Sequence, residues 1–139
     1  MKNVYEIDFK ANMSNFGNLV PIEAMNSIPF SVKRVYYIYG VPSGTKRGFH
    51  SHINLQQVLI CVSGSVKILT KTPSEEEVIT LDSPLKGLYI GPMIWREMYE
   101  FSDNAVLLVL ASEHYTETDY IRDYSKFEIL ANEYFKEAN

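Results

Sequence analysis

Gly44-Thr-Lys-Arg47-Gly-Phe-His50-Ser-His52-Ile-Asn-Leu-Gln-Gln57-Val-Leu-Ile-Cys61-Val-Ser-Gly64 is the stretch on which the fold turns. Its two histidines stand two residues apart, and residues i and i+2 of a strand share a face, so one face carries both imidazoles. The apolar run Val58–Val62 follows at once and reads as a buried strand ending in a turn at Ser63-Gly64.

The same stretch resembles the first cupin motif, G-x5-H-x-H-x4-E-x6-G, from Gly44 to Gly64. One position departs from it. Gln57 stands where the motif has a glutamate.

Outward from there, the chain alternates short strands and turns. Strand patterns are expected at 3–10, 19–23, 32–39, 66–70, 78–81, 88–90, 95–101 and 105–111, separated by stretches rich in Gly, Pro, Ser and Asn. Pro21 marks the 19–23 segment as an edge. Many short strands at regular spacing argue for an all-β jelly roll, here the cupin-type double-stranded β-helix. After residue 118 the period changes. Tyr120, Ile121, Tyr124, Phe127 and Leu130 recur at helical steps, so a C-terminal helix is expected over about 118–137, with Asp119 near its start suiting the helix dipole. The expectation is one cupin domain over 1–139, with the barrel at about 1–112.

Composition narrows the partners. The chain has 139 residues, 46% hydrophobic and 22% charged, with a net charge of −4, which gives no general attraction to nucleic acid or to an anionic membrane. The one cysteine, Cys61, lies inside an apolar run and reads as a small buried hydrophobe; an internal disulfide would need a second. The first residues carry no apolar core of signal-peptide length and no run reaches a membrane span of about 20 residues, so a cytoplasmic protein is expected.

Two imidazoles on one face suit either metal binding or proton transfer. Metal cupins resembling this motif add a carboxylate after the pair and a third histidine from a second motif. Here Gln57 is a poor ligand, and the second-motif region Gly87–Glu97 contains no histidine. The reading is therefore acid–base chemistry without metal or other cofactor. An arginine near a histidine can hold a phosphate bidentately; Arg47 and the Lys33-Arg34 pair are candidates, with a solvated loop arginine and a plain surface pair as the alternatives.

The Arg47-Gly-x-His50 block is also found in dTDP-4-keto-6-deoxyglucose 3,5-epimerases. A closer likeness is to the dTDP-sugar 3,4-ketoisomerases. It runs through Ile28-Pro-Phe, Lys33-Arg-Val-Tyr-Tyr-Ile38, Arg47–His52, Gln57–Cys61, Gly87–Pro92, Trp95-Arg-Glu-Met98, Val109–Ser112 and Glu117-Thr-Asp-Tyr-Ile-Arg122. The resemblance implies a homodimer with exchanged N-terminal strands. The implied substrate is dTDP-4-keto-6-deoxy-D-glucose, isomerised on the way to a 3-aminosugar of a lipopolysaccharide O-antigen or S-layer glycan.

It implies His50 as the base at C3, His52 as the donor of a proton at C4, Tyr37 as a hydrogen-bond donor to the enolate, and Arg34 and Arg47 as diphosphate ligands. Gln57, Trp95, Arg96 and Phe16 would line the substrate pocket. Arg96 and the aromatic Phe16 side with the members that form the gluco product, dTDP-3-keto-6-deoxy-D-glucose. The alternatives are a galacto product, a 3,5-epimerase-like activity, a metal-dependent cupin enzyme, and a sugar-nucleotide sensor without turnover. Exhaustive EDTA treatment is expected to leave turnover unchanged; activity lost with EDTA and restored by Fe, Mn or Zn would select the metal enzyme.

Overall fold

In a computed structural model, which describes residues 1–138, two five-stranded antiparallel sheets pack face to face. The strands are β1 (Val4–Asp8), β2 (Asn12–Ser14), β3 (Gly17–Leu19), β4 (Arg34–Tyr39), β5 (Arg47–His52), β6 (Gln57–Ser63), β7 (Val66–Lys71), β8 (Glu76–Leu81), β9 (Lys86–Ile90), β10 (Trp95–Tyr99), β11 (Val106–Ala111) and β12 (Tyr120–Ile121). One sheet has the order β1-β9-β6-β11-β4, the other β12-β5-β10-β7-β8, and β2-β3 is a separate hairpin. The all-β jelly-roll expectation holds.

Two core regions explain why β6 and β11 read as nearly continuous apolar runs. Leu59 and Cys61 of β6, with Leu107 and Val109 of β11, face the space between the sheets and meet Ile68, Ile90 and Ile94. Val58, Ile60 and Leu110 face the other way, where Phe9, Ile28 and Phe30 of the N-terminal segment cover them. Both faces are buried, so neither strand alternates.

The C-terminal helix is shorter than its period implied. α1 spans Tyr124–Ala138. Asp123 caps it, its Oδ1 accepting from the Ser125 and Lys126 amides at 2.8 and 3.3 Å. Ahead of it, Glu117–Asp119 form a 3-10 turn and Tyr120-Ile121 pair with β5. Apolar residues at two of the expected helical positions therefore belong to a strand, because an open edge of β5 was available to them. The 19–23 segment also departs from expectation: pairing in that region is confined to β2-β3, upstream of Pro21.

β1 pairs with β9, in register from Val4↔Ile90 to Asp8↔Lys86. No helix among the described residues is long and apolar enough to cross a membrane. Phe127 is fully buried against Trp95 and Tyr124, so Phe127→Ala is expected to lower stability by about 3–5 kcal/mol, read as a reduced urea midpoint at unchanged slope.

Candidate active site

The space between the sheets is apolar at one end and polar at the other. The polar end collects the end of β5 and the starts of β4, β6 and β10. His50 and His52 share a face of β5, ring centroids 4.9 Å apart and nearly perpendicular. Arg96 of β10 is the cross-strand partner of His50, and Tyr120 of β12 is that of His52. The Tyr120 ring lies against both imidazoles, at 4.9 and 4.3 Å. Tyr36 and Gln57 come from the facing sheet.

A bulge brings Arg47 into this group. Residues three apart on a regular strand point to opposite faces. Here Glu97 pairs with Gly48 and Met98 with Arg47, while Arg96 pairs with His50, so Phe49 is an extra residue. It takes a left-handed φ of 58°, beside Gly48 at 93°. A side chain at Gly48 would sit 2.9 Å from the Arg96 carbonyl. With the bulge, Arg47 and His50 border one cleft of about 520 Å³, together with Arg34, Tyr36, Tyr120 and Arg122.

Arg96 is 1% exposed, with no ion-pair partner among the described residues. Its Nη1 donates to Gln57 Oε1 at 2.6 Å, and its Nε and Nη2 donate to the Ile94 carbonyl at 3.3 and 3.1 Å. Gln57 Nε2 in turn donates to the Tyr36 hydroxyl at 3.0 Å. Burial draws Arg96 down to about 10, which still leaves it charged at neutral pH.

Burial, and then the charge of Arg96, push His50 down to about 3. The same two causes, in the same order, lower His52, with His50 itself adding to the effect. Both rings are therefore neutral at pH 7. His52 Nδ1 lies 3.2 Å from Asp119 Oδ2, while His52 Nε2 and His50 Nδ1 are buried without a hydrogen-bond partner. Tyr36 is raised, chiefly by burial. At the rim, Glu117 holds Arg122 at 2.6 Å and Arg122 lies over the Tyr120 ring. Arg34 lies over Tyr36 and Tyr115.

Of the residues expected from sequence, His50, His52, Arg34, Arg47, Gln57 and Arg96 come together, and two, Trp95 and Phe16, do not. Tyr37 borders the cleft from the outer face of β4 and is 63% exposed; the phenol facing inward is its neighbour Tyr36. A period of two could have found this, since Tyr36, not Tyr37, shares a strand face with Arg34. Trp95 lies on the far face of β10 from Arg96, donating to Glu97 Oε2 at 3.0 Å and packing against α1. Phe16 sits fully exposed at the tip of the β2-β3 hairpin. Asp119, expected to serve a helix dipole, instead meets His52, and Tyr120 and Arg122 follow it into the site.

Residues 2–132 match the family described as FdtA, WxcM-like, C-terminal. The chain belongs to this family. It is 50% identical over 121 residues to TDP-4-oxo-6-deoxy-alpha-D-glucose-3,4-oxoisomerase of Aneurinibacillus thermoaerophilus, covering 87% of each chain. It superposes with a TM-score of 0.95 on a sugar 3,4-ketoisomerase from Thermoanaerobacterium thermosaccharolyticum solved in complex with TDP, at 53% identity over 97% of this chain and 98% of that one. With a TDP-quinovose 3,4-ketoisomerase from Campylobacter jejuni the TM-score is 0.90, at 44% identity over 93% of this chain and 99% of the other. The fold is cupin-like and the chain is an enzyme, an isomerase of the ketoisomerase kind.

The lowered histidines set the direction of the pH response. Their folded-state pKa lies below the unfolded value of 6.5, so the stability they contribute is present above 6.5 and lost as pH falls toward about 3. The unfolding free energy is expected to decline on acidification below about 6.5, and the acid limb of kcat/KM to lie below 6.5; a limb at or above 6.5 would show a solvated base.

Proposed function

We propose that the protein converts dTDP-4-keto-6-deoxy-D-glucose into dTDP-3-keto-6-deoxy-D-glucose, in the cytoplasm, as a step toward a 3-aminosugar. The observation that carries this is a neutral base, His50, facing Tyr36 across a cleft bordered by Arg34, Arg47 and Arg122. The names of the relatives supply the sugar nucleotide.

The C4 ketone acidifies the hydrogen on C3. His50 takes that proton, the C3–H electron pair becomes the C3–C4 double bond, and the C4=O pair moves to O4. The arginines at the rim hold the diphosphate and add positive potential around the developing enolate. The O3 proton must then leave and O4 must gain one. His52 Nε2, the unpartnered nitrogen beside His50, suits carrying it between the two oxygens. The lone pair on O3 re-forms a ketone at C3, and C4 takes a proton.

Stereochemistry selects the donor at C4. In the gluco product the hydrogen lost from C3 and the hydrogen gained at C4 lie on opposite faces of the chair. His52 contacts His50 edge-on at 4.9 Å, so no sugar ring fits between them and both sit on one side of it. This moves the C4 role from His52 to a group across the cleft. Tyr36 is that group. Its oxygen accepts from Gln57, which leaves its own proton free to donate. Arg96 is not available, since it does not titrate near neutrality.

We read the active form as a homodimer in which the β2-β3 hairpin carries Phe16 to the partner's pocket. A fully exposed phenylalanine beside exposed Met13 and Leu19 supports this reading. A monomer of 16.0 kDa by light scattering at micromolar concentration would end it.

Incubation with dTDP-4-keto-6-deoxyglucose in deuterated water, followed by proton NMR, tests the whole scheme. The expected product is the 3-keto sugar with solvent deuterium at C4 and an equatorial C4 hydroxyl; an axial hydroxyl would make it the galacto enzyme. His50→Asn and Tyr36→Phe are each expected to lower kcat by roughly 10²–10⁴-fold. Near-wild-type turnover in either variant would remove that residue's role.

A further inference from the structure

His52 and Asp119 form a pair whose second member has no part in the proton transfers above. Asp119 ends the 3-10 turn before β12, and the turn is tied to β5 through its backbone, the Ile53 amide donating to the Asp119 carbonyl at 3.0 Å. On the other side of His52, its carbonyl accepts from the Met93 amide at 2.8 Å. The carboxylate is itself fixed. Its Oδ1 accepts from the Asn54 amide at 2.9 Å and its Oδ2 from the Leu55 amide at 3.2 Å. His52 Nδ1 reaches that same Oδ2 at 3.2 Å.

We propose that Asp119 is a positioning residue that holds His52 as the Nδ1–H tautomer and aims its Nε2 lone pair at the reacting hydroxyls. A carboxylate already accepting two amide protons has none to give, so the shared proton belongs to Nδ1. The opposite tautomer would set two lone pairs against each other across 3.2 Å and bury an Nε2–H with nothing to accept it. Burial first, and then Arg96, His50, Arg34 and Arg122, disfavour a second proton on this ring, so the pair is a neutral imidazole on a carboxylate rather than an ion pair. With Nδ1 committed, the ring has one free nitrogen, buried beside His50. A group that first accepts the O3 proton and then returns it to O4 needs this arrangement. A ring free to flip would meet the hydroxyls with an N–H half the time.

The consequence for turnover rests on the ketoisomerase reading; the tautomer does not. The chain has three histidines, so nitrogen-15 correlation spectra of the intact protein, with His50→Asn and His114→Asn for assignment, resolve His52. In the wild-type protein His52 is expected to show a protonated pyrrole-type Nδ1 and a pyridine-type Nε2. In Asp119→Ala that preference should be lost and kcat should fall by about 10²-fold with KM little changed, the scale seen when the group orienting a functional histidine is removed. An Nε2–H signal in the wild-type protein, or an unchanged tautomer and kcat in Asp119→Ala, overturns the proposal. The wild-type spectrum decides the first point even if the variant does not fold. A wild-type protein with the Nδ1–H tautomer but no isomerisation would leave the pairing standing and overturn the functional reading alone.

Discussion

One unpaired cation sets the character of this site. The Arg96 guanidinium lies in the interior without a carboxylate beside it, held by one glutamine and one carbonyl. Burying a charge this way is costly, and the hydrogen bonds to Gln57 and Ile94 offset only part of it. In return the site gains a fixed positive potential. Together with burial, which is the larger cause, that potential keeps both imidazoles unprotonated, and it favours any negative charge that develops between the sheets. A glutamate at position 57 would neutralise it. It would also accept the Tyr36 proton instead of donating to its oxygen, and so remove the donor that faces His50. The departure from the cupin motif at Gln57 thus links the loss of a metal ligand with the supply of a charged, proton-donating wall.

The backbone delivers these groups by two local irregularities in otherwise regular strands. The Gly48-Phe49 bulge converts a three-residue separation into a shared face, so one short strand presents both an arginine and a base to the cleft. The second irregularity is the break between the 3-10 turn and α1. Had residues 117–123 continued the helix, Tyr120 could not have paired with His52, nor Asp119 reached its Nδ1. Instead a two-residue strand closes the edge of β5 and lays Tyr120 over both rings. Bulges and short edge strands near functional sites re-aim side chains in this manner.

This explains what could and could not be read from the residues alone. The His50/His52 face was legible because a period of two is a property of any strand. The doubly buried β6 and β11 were legible as apolar runs. Tyr36 was overlooked beside Tyr37, although Arg34 already chose the inward face of β4. Trp95 was drawn in by its neighbour Arg96, although adjacent residues of a strand face opposite ways. Asp119 was different. Helical spacing of Tyr120, Ile121 and Tyr124 competed with a strand-edge pairing that depends on where β5 ends in space, and no local pattern reports that. Phe16 lies apart from its own chain's cleft, fully exposed at a hairpin tip whose position in space no local pattern reports.

A base held near 3 looks too weak to remove a carbon-bound proton. The value reflects burial first and then the charge of Arg96, with Arg122 adding to it and Glu117 opposing it. On the proposed mechanism, a diphosphate at the rim would offset the part of this lowering that comes from the arginines, and the enolate formed beside His50 would offset more. Opposite charge nearby raises the pKa of an imidazole, and the effect is strongest where water is excluded. On that mechanism the basicity of His50 rises along the reaction coordinate, lowest in the empty cleft and highest when the enolate is present. Interactions that strengthen toward the transition state are the ones that accelerate a reaction, whereas a histidine already basic at rest would be protonated by water before the sugar arrived. In the proposed mechanism, then, burial and the arginine keep the base unprotonated until it is needed, and the anionic substrate makes it a base when it is.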